Sequence, residues 1–103
     1  MPNPNYAAGV RFEREVLAAR RDRHQCEVMR TSGSHGLFDL IAIRPNGQVE
    51  LIQCKRVRTE RDAARMITDW QQIPPLGCRP LGHYYQILAV KIKGRGDWKE
   101  VCV

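Results

Sequence analysis

The sequence lacks closely spaced cysteine pairs and long apolar runs, which mark zinc-binding and membrane-spanning proteins. Its 103 residues include four cysteines, but no two form a C-x-x-C pair, so a zinc knuckle is not expected and reduced thiols are favoured. No apolar run approaches the ~20 residues that a membrane span needs. The first five residues, Met1-Pro2-Asn3-Pro4-Asn5, are polar and no apolar segment follows them. We therefore expect a soluble, cytoplasmic protein without a membrane partner.

Acidic residues are also in short supply. Asp and Glu total 11 against 17 Lys and Arg, which gives a net charge of +6. In so short a chain this excess favours an anionic partner, with nucleic acid first and a membrane surface second. A solvated basic surface would explain the charge equally well. The length and the apolar fraction of 43% are those of one folded domain, residues 1–103.

The order of the apolar patterns predicts an α/β fold. The patterns are, in turn, a helix over Tyr6–Arg23, strands over Cys26–Thr31, Leu37–Arg44 and Gln48–Val57, a helix opened by Thr59 and ended by Pro74-Pro75, and strands over His83–Lys93 and Trp98–Val103. Short turns join the first three strands, which are therefore expected to be antiparallel, and the second helix should return the fourth strand in parallel. The prediction is a mixed five-stranded sheet flanked by helices, in the order αβββαββ.

One acid and one lysine occupy neighbouring strands of this sheet. Asp39 follows a Gly/Ser turn and opens an apolar strand, while Gln53 and Lys55 share one face of the next strand. Glu50 falls on the opposite face of that strand, so it is not expected to act with Lys55. On the first helix, Glu13 lies within the apolar arc, where a carboxylate is costly unless it is paired or binds a metal.

These residue types suit phosphodiester hydrolysis. A divalent ion activates water and neutralises phosphate charge, and an adjacent lysine adds positive charge at the reacting group. Each residue also has a simpler interpretation. Asp39 could cap its turn, Lys55 could start a solvated basic run, and Glu13 could border the core in contact with water. Three aromatic residues of the later strands also have a simple interpretation. We expect Trp98, Tyr84 and Tyr85 to lie in the core or at an interface rather than to stack on nucleic-acid bases.

Four segments together resemble a known family. They are Gly9-x-x-x-Glu13-Arg14-Glu15, Arg30-Thr31-Ser32-Gly33-Ser34, Phe38-Asp39-Leu40-Ile41-Ala42 and Ile52-Gln53-Cys54-Lys55. In this order and spacing they resemble the archaeal-type Holliday junction resolvases, of the PD-(D/E)xK nuclease superfamily. The resemblance spans residues 9–55 and implies a restriction-endonuclease-like fold.

The resemblance also implies roles for individual residues. The catalytic set would be Glu13, Asp39, Gln53, Lys55 and Ser34. The metal, Mg²⁺ with Mn²⁺ as a substitute, would be held by Glu13, Asp39, Gln53 and the backbone carbonyl of Cys54. By the resemblance, contacts with the DNA backbone would come from Arg14 and Arg30. Apart from the resemblance, we expect further contacts from Ser32 and His35 of the turn and from Arg56 and Arg58 of the basic run.

Two residues depart from the family pattern. Phe38 replaces a proline, and Gln53 replaces the second acid. An amide oxygen can bind Mg²⁺ without contributing charge, so weaker metal binding is expected. The resemblance thus predicts a homodimeric, Mg²⁺-dependent endonuclease acting on branched DNA. The alternatives are a phage or mobile-element nuclease acting on duplex DNA or its ends, and a catalytically weak basic DNA-binding module.

Overall fold

A computed structural model of the chain describes residues 4–31, 38–72 and 84–102. Seven elements follow one another: α1 (Pro4–His24), β1 (Glu27–Arg30), β2 (Leu40–Ile43), β3 (Val49–Val57), α2 (Glu60–Gln71), β4 (Tyr84–Ile92) and β5 (Lys99–Cys102). This confirms the predicted order of two helices and five strands. No helix of the described segments is long and apolar enough to cross a membrane.

The five strands form one mixed sheet, in the order β1-β2-β3-β4-β5. Strands β1, β2 and β3 are antiparallel neighbours, as their short connections predict. Strand β4 returns parallel to β3, with Val49 opposite Tyr84 and Val57 opposite Ile92. Strand β5 closes the sheet antiparallel to β4. The predicted parallel crossover through α2 is therefore confirmed.

The two helices pack on opposite faces of the sheet. Helix α1 inserts Phe12 and Val16 into one buried cluster, and α2 inserts Ala63 and Trp70 into another. Successive residues of β4 alternate between these clusters: Ile87 and Ala89 face α1, whereas Leu88 and Val90 face α2. Burial on both faces explains why β4 is an apolar run rather than an alternating pattern.

Two local sequence features shape the start of α2 and the β2–β3 hairpin. The Thr59 hydroxyl accepts a hydrogen bond from the Asp62 N–H at 3.1 Å and so caps the start of α2. In the β2–β3 hairpin, the Asn46 side chain accepts from the Gln48 N–H at 3.0 Å, and Gly47 takes a positive φ of 88°. Glycine occupies this left-handed conformation without strain, which fixes the register of the hairpin.

Several element boundaries differ from the prediction. Strand β1 starts after Cys26, because Gln25 takes a positive φ of 55° and the Cys26 N–H bonds the Arg20 carbonyl at 3.0 Å. Strand β2 starts at Leu40 rather than Leu37, since the chain bends at Asp39. Helix α2 ends at Gln71, and the predicted stop at Pro74-Pro75 lies outside the described residues, as does the Ser32–Gly36 turn.

Candidate metal and nucleic-acid site

The structure brings Glu13 and Asp39 to the same place. Glu13 follows the buried Phe12 on α1, and 17% of its side chain is exposed. Its Oε2 accepts a hydrogen bond from Arg30 Nη2, at the end of β1, at 3.1 Å. Glu13 is therefore half-buried and paired rather than solvated at the border of the core. This is one of the two outcomes that its position on the helix allowed.

Backbone hydrogen bonds fix Asp39 at the bend before β2. Its N–H donates to the Ile52 carbonyl at 2.8 Å, and its carbonyl accepts from the Thr31 N–H at 3.0 Å. The carboxylate Oδ2 accepts from the Cys54 N–H at 2.8 Å. Hydrogen bonds from both its main chain and its carboxylate thus tie Asp39 to β3. The sheet therefore fixes the orientation of the Asp39 carboxylate.

Negative charge accumulates between these two carboxylates. Burial raises the pKa of Glu13, and the charge of Asp39 raises it further. The Arg30 guanidinium lowers the pKa of Glu13 only in part, so the pKa stays above its ordinary value. Burial, followed by the Asp39 and Glu13 charges, also raises the pKa of the Cys54 thiol. Arg30 therefore offsets the burial of Glu13 and the charge of Asp39 only in part.

The main chain of Cys54 presents its carbonyl to the same corner. Strand β2 begins at Leu40, opposite Ile52, so β3 continues past the end of β2. The N–H and C=O of one strand residue point to the same side. Because the Cys54 N–H reaches Asp39, the Cys54 carbonyl faces this open edge as well.

Gln53 and Lys55 occupy the other face of β3. Gln53 lies opposite Leu88 and Lys55 opposite Val90, and both of these partners belong to the cluster beneath α2. Cys54 packs instead against the α1 cluster. The predicted sharing of a face by Gln53 and Lys55 is confirmed. That face, however, is turned away from the helix that carries Glu13.

A basic groove adjoins the carboxylate pair. It has a volume of about 400 Å³ and is lined by Gly9, Cys54, Lys55, Arg56, Val57, Arg58 and Lys93. Gly9 precedes Glu13 by one helical turn, and Cys54 is bonded to Asp39, so the groove and the pair meet. The sequence predicted the contribution of Arg56 and Arg58, both of which are exposed.

Lys93 is a groove residue that sequence reasoning missed. It follows β4 directly, and its N–H donates to the Val57 carbonyl at 2.8 Å. Because β3 and β4 run parallel with Val57 opposite Ile92, the residues after them must lie side by side. The sequence predicted the parallel pairing of β3 and β4. Counting along the two paired strands could therefore have placed Lys93 next to Arg58.

The remaining predicted contacts divide into two groups. Arg14 is exposed on α1, whereas Arg30 is half-buried against Glu13. Ser32, Ser34 and His35 lie outside the described residues.

Glu50 belongs to a separate buried network of ion pairs. Its Oε1 accepts from Arg20 Nε at 2.6 Å and its Oε2 from Arg44 Nε at 2.8 Å. Arg20 also binds Glu100 through both of its terminal nitrogens, at 2.9 and 2.6 Å. Glu50 is thus separated from Lys55, as predicted. Arg20 is buried with its partners, since only 6% of its side chain is exposed.

Aromatic residues surround this network and serve the core. Trp98 packs edge-on against Phe12, with 5.6 Å between ring centroids, and Tyr85 lies 4.4 Å beneath the Arg44 guanidinium. Both aromatics contact the α1 cluster, which confirms their interpretation as core residues. A cavity of about 650 Å³ opens between Arg20, Tyr85 and Glu100. Its charged walls are already paired with one another.

Residues 4–31, 38–72 and 84–102 contain no group of three or more His, Cys, Asp or Glu side chains arranged to hold a metal ion. Any metal at the Glu13–Asp39 pair would therefore rely on two carboxylates and main-chain oxygen. No protein-family model, curated protein or solved structure matches this chain. The resemblance to junction resolvases rests on the four sequence segments alone.

Proposed function

We propose that this protein is a metal-dependent DNA endonuclease with a restriction-endonuclease-like fold, acting on branched DNA. The observation that supports it best is the Glu13–Asp39 carboxylate pair at the end of a groove lined by four cations. Carboxylates attract a divalent ion, and the groove attracts a phosphate backbone. A nuclease needs both features within reach of one phosphodiester bond.

The residues present fit Mg²⁺. This ion is commonly held by one or two carboxylates, with water and substrate phosphate completing its octahedron. Glu13, Asp39 and the Cys54 carbonyl would hold it, and the incompletely neutralised charge of the pair favours such an ion. When bound, the ion would activate water and neutralise phosphate charge. Gln53, on the α2 face of β3, remains a predicted further ligand.

The chain's own groups have distinct tasks in this proposal. Asp39 is held rigidly by Ile52, Thr31 and Cys54, so it offers a fixed anchor at the end of the groove. Lys55 lines the groove and contributes positive charge where phosphate would lie. Ser34, Ser32 and His35 remain predictions for the rim of the groove.

Cleavage of a four-way junction, a flap and a linear duplex, with and without Mg²⁺ or Mn²⁺, tests the proposal. Asp39→Asn should abolish metal-dependent cleavage without changing the circular dichroism spectrum. Asp22→Asn, an exposed change of the same kind on α1, should leave cleavage intact. Normal cleavage by Asp39→Asn would refute the site. Preferential cleavage of the linear duplex would instead favour the phage or mobile-element alternative.

Symmetric nicking of a junction requires two active sites, so the proposal includes a homodimer. Sedimentation equilibrium of the purified protein, alone and with a four-way junction, should report two chains per complex. A single chain on each junction would remove the resolvase part of the proposal while leaving a nuclease possible.

The position of Gln53 and Lys55 favours a second candidate, a basic DNA-binding module without cleavage. Both side chains lie on the α2 face of β3, whereas Glu13 comes from the helix on the other face. Such a module would bind DNA in a salt-sensitive manner and show no metal-dependent cleavage. Gln53→Glu distinguishes the two: increased cleavage would indicate a working metal site, and continued absence of cleavage would favour the module.

A further inference from the structure

We propose that Arg30 is an exchangeable counter-ion, which holds Glu13 when no divalent ion is bound and moves to a DNA phosphate when one binds. The proposal rests on the proposed function, since it concerns the same carboxylate pair. Its starting point is the single ion pair between Arg30 Nη2 and Glu13 Oε2, at 3.1 Å.

The Arg30 ion pair is built differently from the structural one on the same face. Arg20 uses its Nε and both terminal nitrogens, in three hydrogen bonds of 2.6 to 2.9 Å. Arg30 makes one bond to Glu13 within the described residues, and its buried Nε has no partner there. The Arg30 side chain is also 27% exposed, against 6% for Arg20. Arg30 therefore loses little when it leaves Glu13.

A divalent ion and Arg30 would compete for the same carboxylate. Two acidic side chains, Glu13 and Asp39, meet here, and Arg30 supplies one positive charge through its bond to Glu13. An ion bound between the carboxylates would satisfy Glu13 and repel the guanidinium beside it. Arg30 must then be displaced before Glu13 can bind the ion with full strength. The ion pair between Arg30 and Glu13 accordingly lowers the affinity of the metal-free protein for a divalent ion.

Release of Arg30 makes a phosphate-binding group available at the site. A guanidinium binds phosphate through two parallel hydrogen bonds, so a nearby DNA backbone would stabilise the displaced state. Coupling of this kind is reciprocal: DNA that draws Arg30 away from Glu13 strengthens ion binding, and the ion strengthens DNA binding. The exchange would thus favour loading of the metal together with its substrate.

Binding of Mn²⁺ to the protein without DNA tests this exchange. Free Mn²⁺ is counted by electron paramagnetic resonance in titrations of the wild type, Arg30→Gln and Arg30→Met. Loss of the competing charge should tighten Mn²⁺ binding about tenfold, which corresponds to one unit of log K. Arg11→Gln removes an exposed charge from α1 near Glu13 and controls for general electrostatics, so it should change affinity less than about twofold.

The outcomes separate this inference from the proposed function. Equal or weaker Mn²⁺ binding in both folded Arg30 variants would refute the exchange. If Asp39→Asn still abolished binding in that case, the proposed metal site would stand. Mn²⁺ binding that is insensitive to Asp39→Asn in every background would remove the metal site, and the exchange with it. Thermal melts identify which variants are folded. If Arg30→Gln is unstable, Arg30→Met still allows the test, because methionine preserves the packing of the apolar part of the arginine side chain.

Discussion

The buried arginine of α1 offers the sharpest test of what holds the structure together. Replacing Arg20 with Met keeps most of the side-chain volume and removes the charge. It deletes one hydrogen bond to Glu50 and two to Glu100. Glu50, with 6% of its side chain exposed, would then depend on Arg44 alone. The variant leaves a buried carboxylate with one of its two cationic partners.

Removing one partner of a buried ion pair typically costs about 3–5 kcal/mol. Two features of the structure place Arg20→Met at the lower end of this range. Arg44 still binds Glu50 through two nitrogens, at 2.8 and 2.7 Å, and Glu100, with a side chain 31% exposed, can be rehydrated. We therefore expect a loss of about 3 kcal/mol, which in a domain of this size lowers Tm by roughly 12 °C or more.

Urea unfolding followed by circular dichroism measures this loss. Arg21→Met, an exposed change on the next residue, serves as the control and should cost less than about 0.5 kcal/mol. The cost of Arg20→Met should persist in 0.5 M salt, because buried pairs are little screened. Equal midpoints for the two variants would refute the inference that Arg20 neutralises a buried network. Adding Glu50→Gln and Glu100→Gln to Arg20→Met should recover part of the loss.

Three further predictions concern the helix cap, the groove and the carboxylate pair. Thr59→Ala should lower the free energy of unfolding by about 1 kcal/mol, because the Asp62 N–H loses its capping partner. Lys93→Ala and Arg58→Ala should each weaken DNA binding and reduce the salt slope of log K by about 1, if both bind phosphate. Burial and the Asp39 charge raise the pKa of Glu13, so ionised Glu13 is disfavoured in the folded state, and the stability contributed by its protonated form is lost as pH rises through that pKa. In the absence of metal, Glu13→Gln should therefore gain stability relative to wild type as pH rises above 4.5, the ordinary pKa of a glutamate.

Each of these has a matched control. Thr68→Ala, within α2, should cost less than Thr59→Ala, and equal costs would contradict the capping role. Arg21→Ala, outside the groove, should weaken DNA binding less than Lys93→Ala does, and similar salt slopes would show that the groove has no special part. Glu27→Gln, on an exposed position of β1, should show a smaller pH-dependent difference from wild type than Glu13→Gln.

Local patterns in the sequence predicted most of the architecture. The Asn46-Gly47 turn fixed the β2–β3 hairpin, Thr59 marked the start of α2, and the length of the crossover indicated a parallel β4. These features depend on residues close together in the chain. Strand and helix ends were less predictable. At β2, for example, the bend depends on a bond from the Asp39 N–H to Ile52 on another strand.

The site was predicted only in part, because tertiary packing decides which face of the sheet each helix covers. Strand parity correctly placed Gln53 and Lys55 together, but parity does not reveal which face receives α1. That depends on how Phe12 and Val16 dock, which no local pattern specifies. The structure therefore places Glu13 on the α1 face and the side chains of Gln53 and Lys55 on the α2 face, with Asp39 bonded to β3 at the Cys54 N–H.

The burial of Arg20 has a signal in the sequence. Phe12, Val16 and Arg20 follow one another at four-residue intervals, so they share a stripe of α1. The charged residues that follow Arg20 on the helix are exposed, which masks this signal. On β3, Glu50 lies two residues before the buried Ile52 and so shares its face, which pairs the two buried charges.

The bonds from Arg20 to Glu100 join residues 80 positions apart. During synthesis, α1 can dock on β1, β2 and β3 long before β5 exists, yet Arg20 then carries its charge into the core with Glu50 and Arg44 alone. Strand β5 supplies the missing carboxylate. Pairing of β5 therefore has a thermodynamic signature of its own: α1 reaches its full stability only when β5 joins the sheet, which makes folding of the sheet more cooperative than the order of its elements suggests.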